Sequence, residues 1–181
     1  MIFKETSISG AYVVEMQPFT DARGSFARAW SSKEFNERGL ETHFPDINFS
    51  ASRRKGTIRG LHYQKVPHAE AKFVRCVHGA LFDVIVDLRP DSPTRHQWAS
   101  VEINAIDHQA IYVPPGCAHG IQTLEDDTEM LYMVSACHAA NAEGGIRWDD
   151  PFFRIEWPVK LQVILSEKDR EWPDYCPAPI F

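Results

Sequence analysis

Twelve prolines and ten glycines cut this 181-residue chain into short segments. Proline lacks a backbone donor and glycine frees the backbone, so both interrupt long regular elements. The spacing predicts many short strands joined by tight turns. Strands are expected over residues 11–16, 72–77, 80–88, 98–103, 109–113, 129–135 and 152–157. The clearest is Ala80-Leu81-Phe82-Asp83-Val84-Ile85-Val86-Asp87-Leu88, whose β-branched and aromatic content suits a pleated surface. There Asp83, Ile85 and Asp87 share one face, and Phe82, Val84 and Val86 the other. A strand with carboxylates on one side lines a polar cavity or faces solvent.

Helix signals are few. Ser31 or Ser32 can cap a helix formed by Lys33 to Arg38 and ended by Gly39. A second short helix is expected after Ser166, with Glu167 in its first turn and Pro173 ending the segment. No repeat or linker divides the chain, so one domain is expected over residues 1–181, long enough to bury a proper core. Many strands with few helices imply a sandwich, jelly roll or barrel. In such a barrel, inward polar residues from successive strands meet in one pocket.

Composition excludes several partners. The formal net charge is −6, so no global basic surface invites nucleic acid or an anionic membrane. An anionic substrate then requires a local cationic pocket. No stretch approaches membrane-spanning length, and Met1 to Thr6 carries no long apolar signal region. Cys76, Cys117, Cys137 and Cys176 lie far apart without a CxxC pair, which favours free thiols and a cytoplasmic location.

The densest polar cluster runs from Arg53 to Lys72, with Arg53, Arg54, Lys55, Arg59, His62, His68, Glu70 and Lys72. The basic triplet alone reads as a solvated turn. Arg59-Gly60-Leu61-His62 is more specific. In extended chain Arg59 and Leu61 face one way, Gly60 and His62 the other. Gly60 carries no side chain, so a ligand or another strand can approach it closely. Read alone, His62 is an ordinary core or surface histidine.

A second cluster is Pro114-Pro115-Gly116-Cys117-Ala118-His119-Gly120. It is a Pro-Gly turn followed by a histidine. Its P-x-G-x-x-H spacing resembles the second motif of the cupins, where the turn delivers a histidine into the barrel mouth. A metal-binding cupin also needs an H-x-H pair and a following acid in its first motif. Here His62 is followed by Tyr63 and Gln64, and His68 and Glu70 lie at the wrong spacing. Two histidines without clear partners make a poor transition-metal site, so a metal-free barrel without cofactor is expected.

A longer ordered set of motifs covers nearly the whole chain. It comprises Asp21-x-Arg23-Gly24-x-Phe26, Asn48-x-Ser50-x-Ser52, Gly56 to Gln64, Lys72 to Cys76, Asp83 to Arg89, Ser92-Pro93-Thr94 and Val113 to Gly120. Tyr132, Trp148-x-Asp150-Pro151, Ile155-x-Trp157-Pro158 and Leu165-Ser166-x-Lys168-Asp169 complete it. With these motifs the chain resembles the dTDP-4-dehydrorhamnose 3,5-epimerase family, metal-independent cupin sugar-nucleotide epimerases.

The resemblance implies an all-β, cupin-type jelly-roll β-barrel with a few short peripheral helices. It implies an isomerase that inverts C3 and C5 of a nucleotide-linked 4-keto-6-deoxyhexose, in making rhamnose or a related surface-polysaccharide sugar. Removing a proton beside a carbonyl needs a neutral base, a cation near the oxyanion and an acid on the opposite face. By resemblance His62 is the base, Asp169 its orienting carboxylate, Lys72 the enolate's cation and Tyr132 the acid. Arg23, Arg59 and Lys168 resemble a diphosphate clamp. Phe26, Asn48, His119 and Glu143 match substrate-contacting positions. Many family members are homodimers in which an N-terminal strand joins the partner's sheet, so Arg23 and Phe26 can act in a neighbouring subunit.

Three positions depart from the family's pattern. Arg28 stands where glutamate is common, Asp46 where glutamine is, and Cys137-His138 where tyrosine is usual. Exchanging a carboxylate for a guanidinium reverses hydrogen-bond preference near the nucleotide. Two alternatives stay open among epimerases: a 3-epimerase or a 5-epimerase on another sugar nucleotide. A metal-dependent cupin is disfavoured by the missing H-x-H pair. A non-catalytic sugar-binding barrel is disfavoured by His62, Lys72, Tyr132 and Asp169 occurring together.

Overall fold

The computed structural model describes residues 1–177. Its strands are β1 (Ile2–Glu5), β2 (Tyr12–Glu15), β3 (Phe19–Asp21), β4 (Gly24–Phe26), β5 (Asp46–Ser52), β6 (Ile58–Gln64) and β7 (Lys72–His78). They continue as β8 (Ala80–Asp87), β9 (Trp98–Asn104), β10 (Gln109–Val113), β11 (Cys117–Thr123), β12 (Thr128–Val134) and β13 (Glu143–Gly145). Two short helices, α1 (Ser32–Asn36) and α2 (Glu167–Arg170), start where the capping serines predict, at Ser31 and Ser166.

One sheet has the order β1-β2-β10-β7-β12-β5, and a second the order β13-β6-β11-β8-β9. Every pairing within them is antiparallel. The sheets pack face to face over Val74, Cys76, Leu81, Ile85, Ile111, Ile121 and Met130, forming the all-β jelly-roll barrel expected from the sequence. β3 and β4 form a separate hairpin.

Both sheets are also covered outside, by different means. On the six-stranded sheet, Phe35 of α1 packs with Val14, Phe73, Ala110 and Tyr112. Phe35 is fully buried, with ring contacts to Phe3, Trp30, Phe44, Phe73 and Tyr112. On the five-stranded sheet, Phe153, Ile155 and Trp157 cover Phe82, Val84 and Val86. This explains why β8 is buried on both faces.

The strand expected over residues 152–157 is absent. Phe153, Ile155 and Trp157 do alternate inward, but the segment docks on a sheet face and pairs with no strand. Arg154 breaks the extended backbone, at φ 49°. Asp150 anchors the segment instead, accepting from the Phe152 and Tyr175 amides.

β5 inverts the usual pattern. Asp46, Asn48, Ser50 and Ser52 turn inward, while Ile47 and Phe49 are 66% and 58% exposed. Its polar residues line cavities in the barrel, which is why hydrophobic alternation does not reveal it as a strand.

Candidate active site

The site begins with β6 and β11. His119 pairs with His62, but Ile121 pairs with Arg59, so one extra β6 residue opposes this stretch of β11. Such a bulge shifts the alternation of side chains by one. Arg59 and His62 therefore line the same cavity, and the expectation that they face opposite ways is corrected. Gly60 is required here: a Cβ on it would lie 2.5 Å from the Gly120 Cα, at a φ of 123°. The close approach anticipated at Gly60 is made by a strand.

His119 arrives through the Pro114–Cys117 turn, closed by a bond from the Cys117 amide to the Pro114 carbonyl. Gly116 occupies its third position with φ 83°, as a type II turn needs. His119 Nε2 lies 2.9 Å from Asp83 Oδ2, and both side chains are buried. Asp83 Oδ1 is buried with no hydrogen-bond partner among the described residues. The carboxylate face of β8 thus looks into the barrel, not to solvent.

Asp169 is delivered by α2. The α2 approach is tied to β6 by the Ile58 amide bonding the Ile164 carbonyl, at 2.9 Å. Ser166 caps the helix by accepting from the Asp169 amide at 3.1 Å. His62 Nε2 then lies 2.6 Å from Asp169 Oδ1, while the Gly60 amide donates to Oδ2 at 3.3 Å. Burial pushes the Asp169 carboxyl up, but the imidazole, the Gly60 amide and Ser166 outweigh it and hold it below its ordinary range. An ionised Asp169 favours the His62 tautomer that carries its proton on Nε2, from which the carboxylate accepts a hydrogen bond.

Lys72 and Tyr132 come from the opposite sheet. Tyr132 pairs with Val74 and Val134 with Lys72, so both side chains project from one face of neighbouring strands. Lys72 Nζ lies 3.2 Å from Glu70 Oε1, with both side chains 11% exposed. Glu70 is itself held by Gln64 Nε2 at 3.0 Å. The Tyr132 hydroxyl makes no hydrogen bond to a described residue. Burial, then the charge of Glu70, raises its pKa and keeps the phenol protonated. The imidazole and the phenol therefore lie on opposite walls, suited to removing a proton from one face of a ring and returning one to the other.

These groups share a cavity of about 440 Å³ lined also by Ser50, Arg59, His119 and Lys168. A smaller one of about 230 Å³ shares His62, Lys72 and Tyr132 with it and adds Asp46, Asn48, His138 and Glu143. Arg59 Nε is held by Ser52 Oγ at 3.0 Å. Lys168 pairs with Glu143 at 2.5 Å, and His138 approaches the same carboxylate at 3.5 Å. Arg28 sits away from both cavities, 4.0 Å from Glu34.

Arg23 and Phe26 line neither cavity. They sit on the β3–β4 hairpin, where Arg23 pairs with Asp21 and Phe26 is 77% exposed. Of the three cations expected to form a clamp, one chain thus brings Arg59 and Lys168 to the cavity but not Arg23. The sequence reading missed Asp83 as the partner of His119 and Glu70 as the partner of Lys72. A carboxylate on the cavity face of β8 was the one available signal for Asp83.

Comparison with known proteins places this geometry. The family model described as dTDP-4-dehydrorhamnose 3,5-epimerase matches residues 5–176. A Sinorhizobium fredii dTDP-4-dehydrorhamnose 3,5-epimerase is 40% identical over 180 residues, covering 99% of this chain and 92% of that protein. The dTDP-4-dehydrorhamnose 3,5-epimerase of Elizabethkingia anophelis superposes with a TM-score of 0.94 at 36% identity, covering 97% of this chain and 96% of that one. The Bacillus anthracis enzyme, solved with TDP and PPi bound, gives a TM-score of 0.91 at 40% identity, covering 96% and 100%. On a match spanning almost its whole length, in sequence and in fold, the chain belongs to the dTDP-4-dehydrorhamnose 3,5-epimerase family.

Proposed function

We propose that this protein epimerises C3 and C5 of a dTDP-linked 4-keto-6-deoxyhexose, converting dTDP-4-dehydro-6-deoxyglucose to dTDP-4-dehydrorhamnose in the making of rhamnose or a related surface sugar. The observation that carries this reading is the 2.6 Å His62–Asp169 pair facing Tyr132 across the cavity.

The ketone at C4 acidifies the protons at C3 and C5. His62 Nδ1 takes one of them, the C–H electron pair moves into the ring, and C4–O becomes an enolate. The imidazolium formed is stabilised by Asp169. Lys72 offsets the enolate charge inside a cavity where water screens it poorly. Reprotonation from Tyr132 on the other face inverts the carbon. His62 then yields its proton to water and Tyr132 regains one, and with both groups reset the same sequence at the second carbon completes the reaction. No redox step and no cofactor enters this cycle, and the residues described assign no step to a metal.

Arg59, Lys168 and His119 are proposed to hold the diphosphate, with Asn48 and Glu143 on the sugar or nucleoside side. A planar guanidinium pairs two phosphate oxygens at once, which supplies the local positive charge that a chain of net −6 requires. Arg23 and Phe26 would complete this site in a partner subunit. The exposed apolar faces of β5 and of the β3–β4 hairpin, with Ile47, Phe49, Phe19 and Phe26, support a homodimer. A single domain over residues 1–181 and a cytoplasmic location accord with this reading; no described helix is long and apolar enough to cross a membrane.

The test is exchange in deuterated water. Incubated with dTDP-4-keto-6-deoxyglucose, the protein should take up deuterium at both C3 and C5, followed by NMR. Exchange at one carbon assigns a mono-epimerase instead. Absence of exchange with any nucleotide sugar refutes the enzymatic reading. Activity should survive EDTA, and loss of it there contradicts a metal-free mechanism.

A further inference from the structure

On the five-stranded sheet His62 has register partners on both sides, His119 on β11 and Gly145 on β13. A side chain at residue 145 would ordinarily flank the imidazole as a cross-strand neighbour. Glycine leaves that place open, and the indole of Trp172 fills it. A Cβ built on Gly145 would lie 2.0 Å from Trp172 Cε2 and 2.3 Å from Nε1, so the ring rests directly on the Gly145 backbone. The same indole stands edge-on to the His62 ring, with centroids 6.5 Å apart and planes at 65°. Trp172 follows Asp169 by three residues, so the segment that brings the carboxylate to His62 also brings this ring. Trp172 Nε1 is buried with no hydrogen-bond partner among the described residues. Its placement therefore rests on packing, not on a polar tether.

We propose that Trp172 is a positioning residue for the base: seated on Gly145, it fixes the plane of the His62 imidazole and keeps water from the His62–Asp169 hydrogen bond. The inference rests on His62 acting as the proton acceptor. Gly145 is the matching half of the device, since any larger residue would expel the indole.

Trp172 also lies under Lys168, whose Nζ is 5.9 Å from the ring centroid. Lys168 belongs to the substrate-binding group, so a role exerted through it would appear in KM. A role exerted through His62 appears in kcat. The two are separable by measurement.

Five proteins decide the matter: wild type, Trp172→Ala, Gly145→Ala, the double variant, and Trp172→Phe as the conservative replacement. Steady-state epimerisation should show kcat lowered about 10- to 100-fold in each single variant, as expected for a misplaced base, with KM nearly unchanged. In the double variant the two losses should not multiply, because no ring remains for the new methyl to displace. Trp172→Phe should recover most of the turnover. A raised KM at constant kcat, or multiplicative losses, overturns the proposal. A readout without substrate keeps it distinct from the choice of reaction. The proton between His62 and Asp169 should give a downfield NMR resonance in wild type and Trp172→Phe, and be broadened by solvent exchange in Trp172→Ala. An equally sharp resonance in Trp172→Ala overturns the proposal even if no sugar nucleotide turns over.

Discussion

His62 and His119 are register partners on adjacent strands, and each is bound to a carboxylate from a different part of the chain. The cavity wall thus presents two imidazoles side by side, one 32% exposed and backed by Asp169, the other buried against Asp83. Their environments differ, and so should the consequences of changing them.

His62→Ala should abolish deuterium exchange at both carbons, and Asp169→Asn should lower kcat by about 100-fold or more while the protein stays folded. The measurement is single-turnover exchange by NMR, with circular dichroism to confirm the fold. Wild-type exchange rates in either variant would contradict the assignment of the base.

Tyr132→Phe removes one oxygen from the wall opposite His62 and leaves the ring's packing intact. Proton abstraction should continue, so washout into deuterated water persists, while formation of the inverted product falls by about 100-fold or more. Equal loss of both would place Tyr132 on the substrate-binding side.

Asp83→Ala leaves His119 buried without its acceptor. Leaving a buried donor unsatisfied costs about 1–3 kcal/mol, so a lower denaturation midpoint is expected, together with a raised KM because His119 lines the cavity. Unchanged stability would mean that the Asp83–His119 contact carries no net stabilisation.

Asp87 provides a pH signature unrelated to catalysis. Its side chain is buried; burial alone pushes the carboxyl up, but Arg89, Ser92 and Thr94 outweigh it and lower it from 3.8 to about 2. A depressed folded pKa means stability that is present above the unfolded value and lost as pH falls through the folded one. The contribution is about 2 kcal/mol. Denaturant titrations between pH 5 and 2 (a window of about 3 units) should show wild type losing stability that Asp87→Ala already lacks.

Phe35 tests the outer layer. Phe35→Ala empties the centre of a ring cluster on the far face of the six-stranded sheet, and should cost about 3–5 kcal/mol. Exchange activity at low temperature should persist, since Phe35 lines neither active-site cavity.

The legible parts of this fold were those with local causes. β8 and β10 could be read from their composition, and both helices from their capping serines. Residues 152–157 could not, because alternation reports burial and is silent on whether a strand pairs or merely lies on a sheet. β5 hid for the converse reason, its polar residues facing in. The orientation of Arg59 against His62 turned on a single extra residue, visible only once β6 and β11 are paired. His62, Lys72, Tyr132 and Asp169 were connected by resemblance to a family, since no local pattern links residues 107 positions apart, as His62 and Asp169 are. The link from Asp83 to His119 needed the β8–β11 register.

That separation between His62 and Asp169 also orders events during synthesis. The ribosome makes His62 107 residues before Asp169, which is carried on a four-residue helix. A nascent or C-terminally clipped chain lacking α2 would have the imidazole, the lysine and the phenol but no fixed tautomer at the base. On the proposed mechanism, the ability to attack an activated sugar therefore waits on the docking of α2.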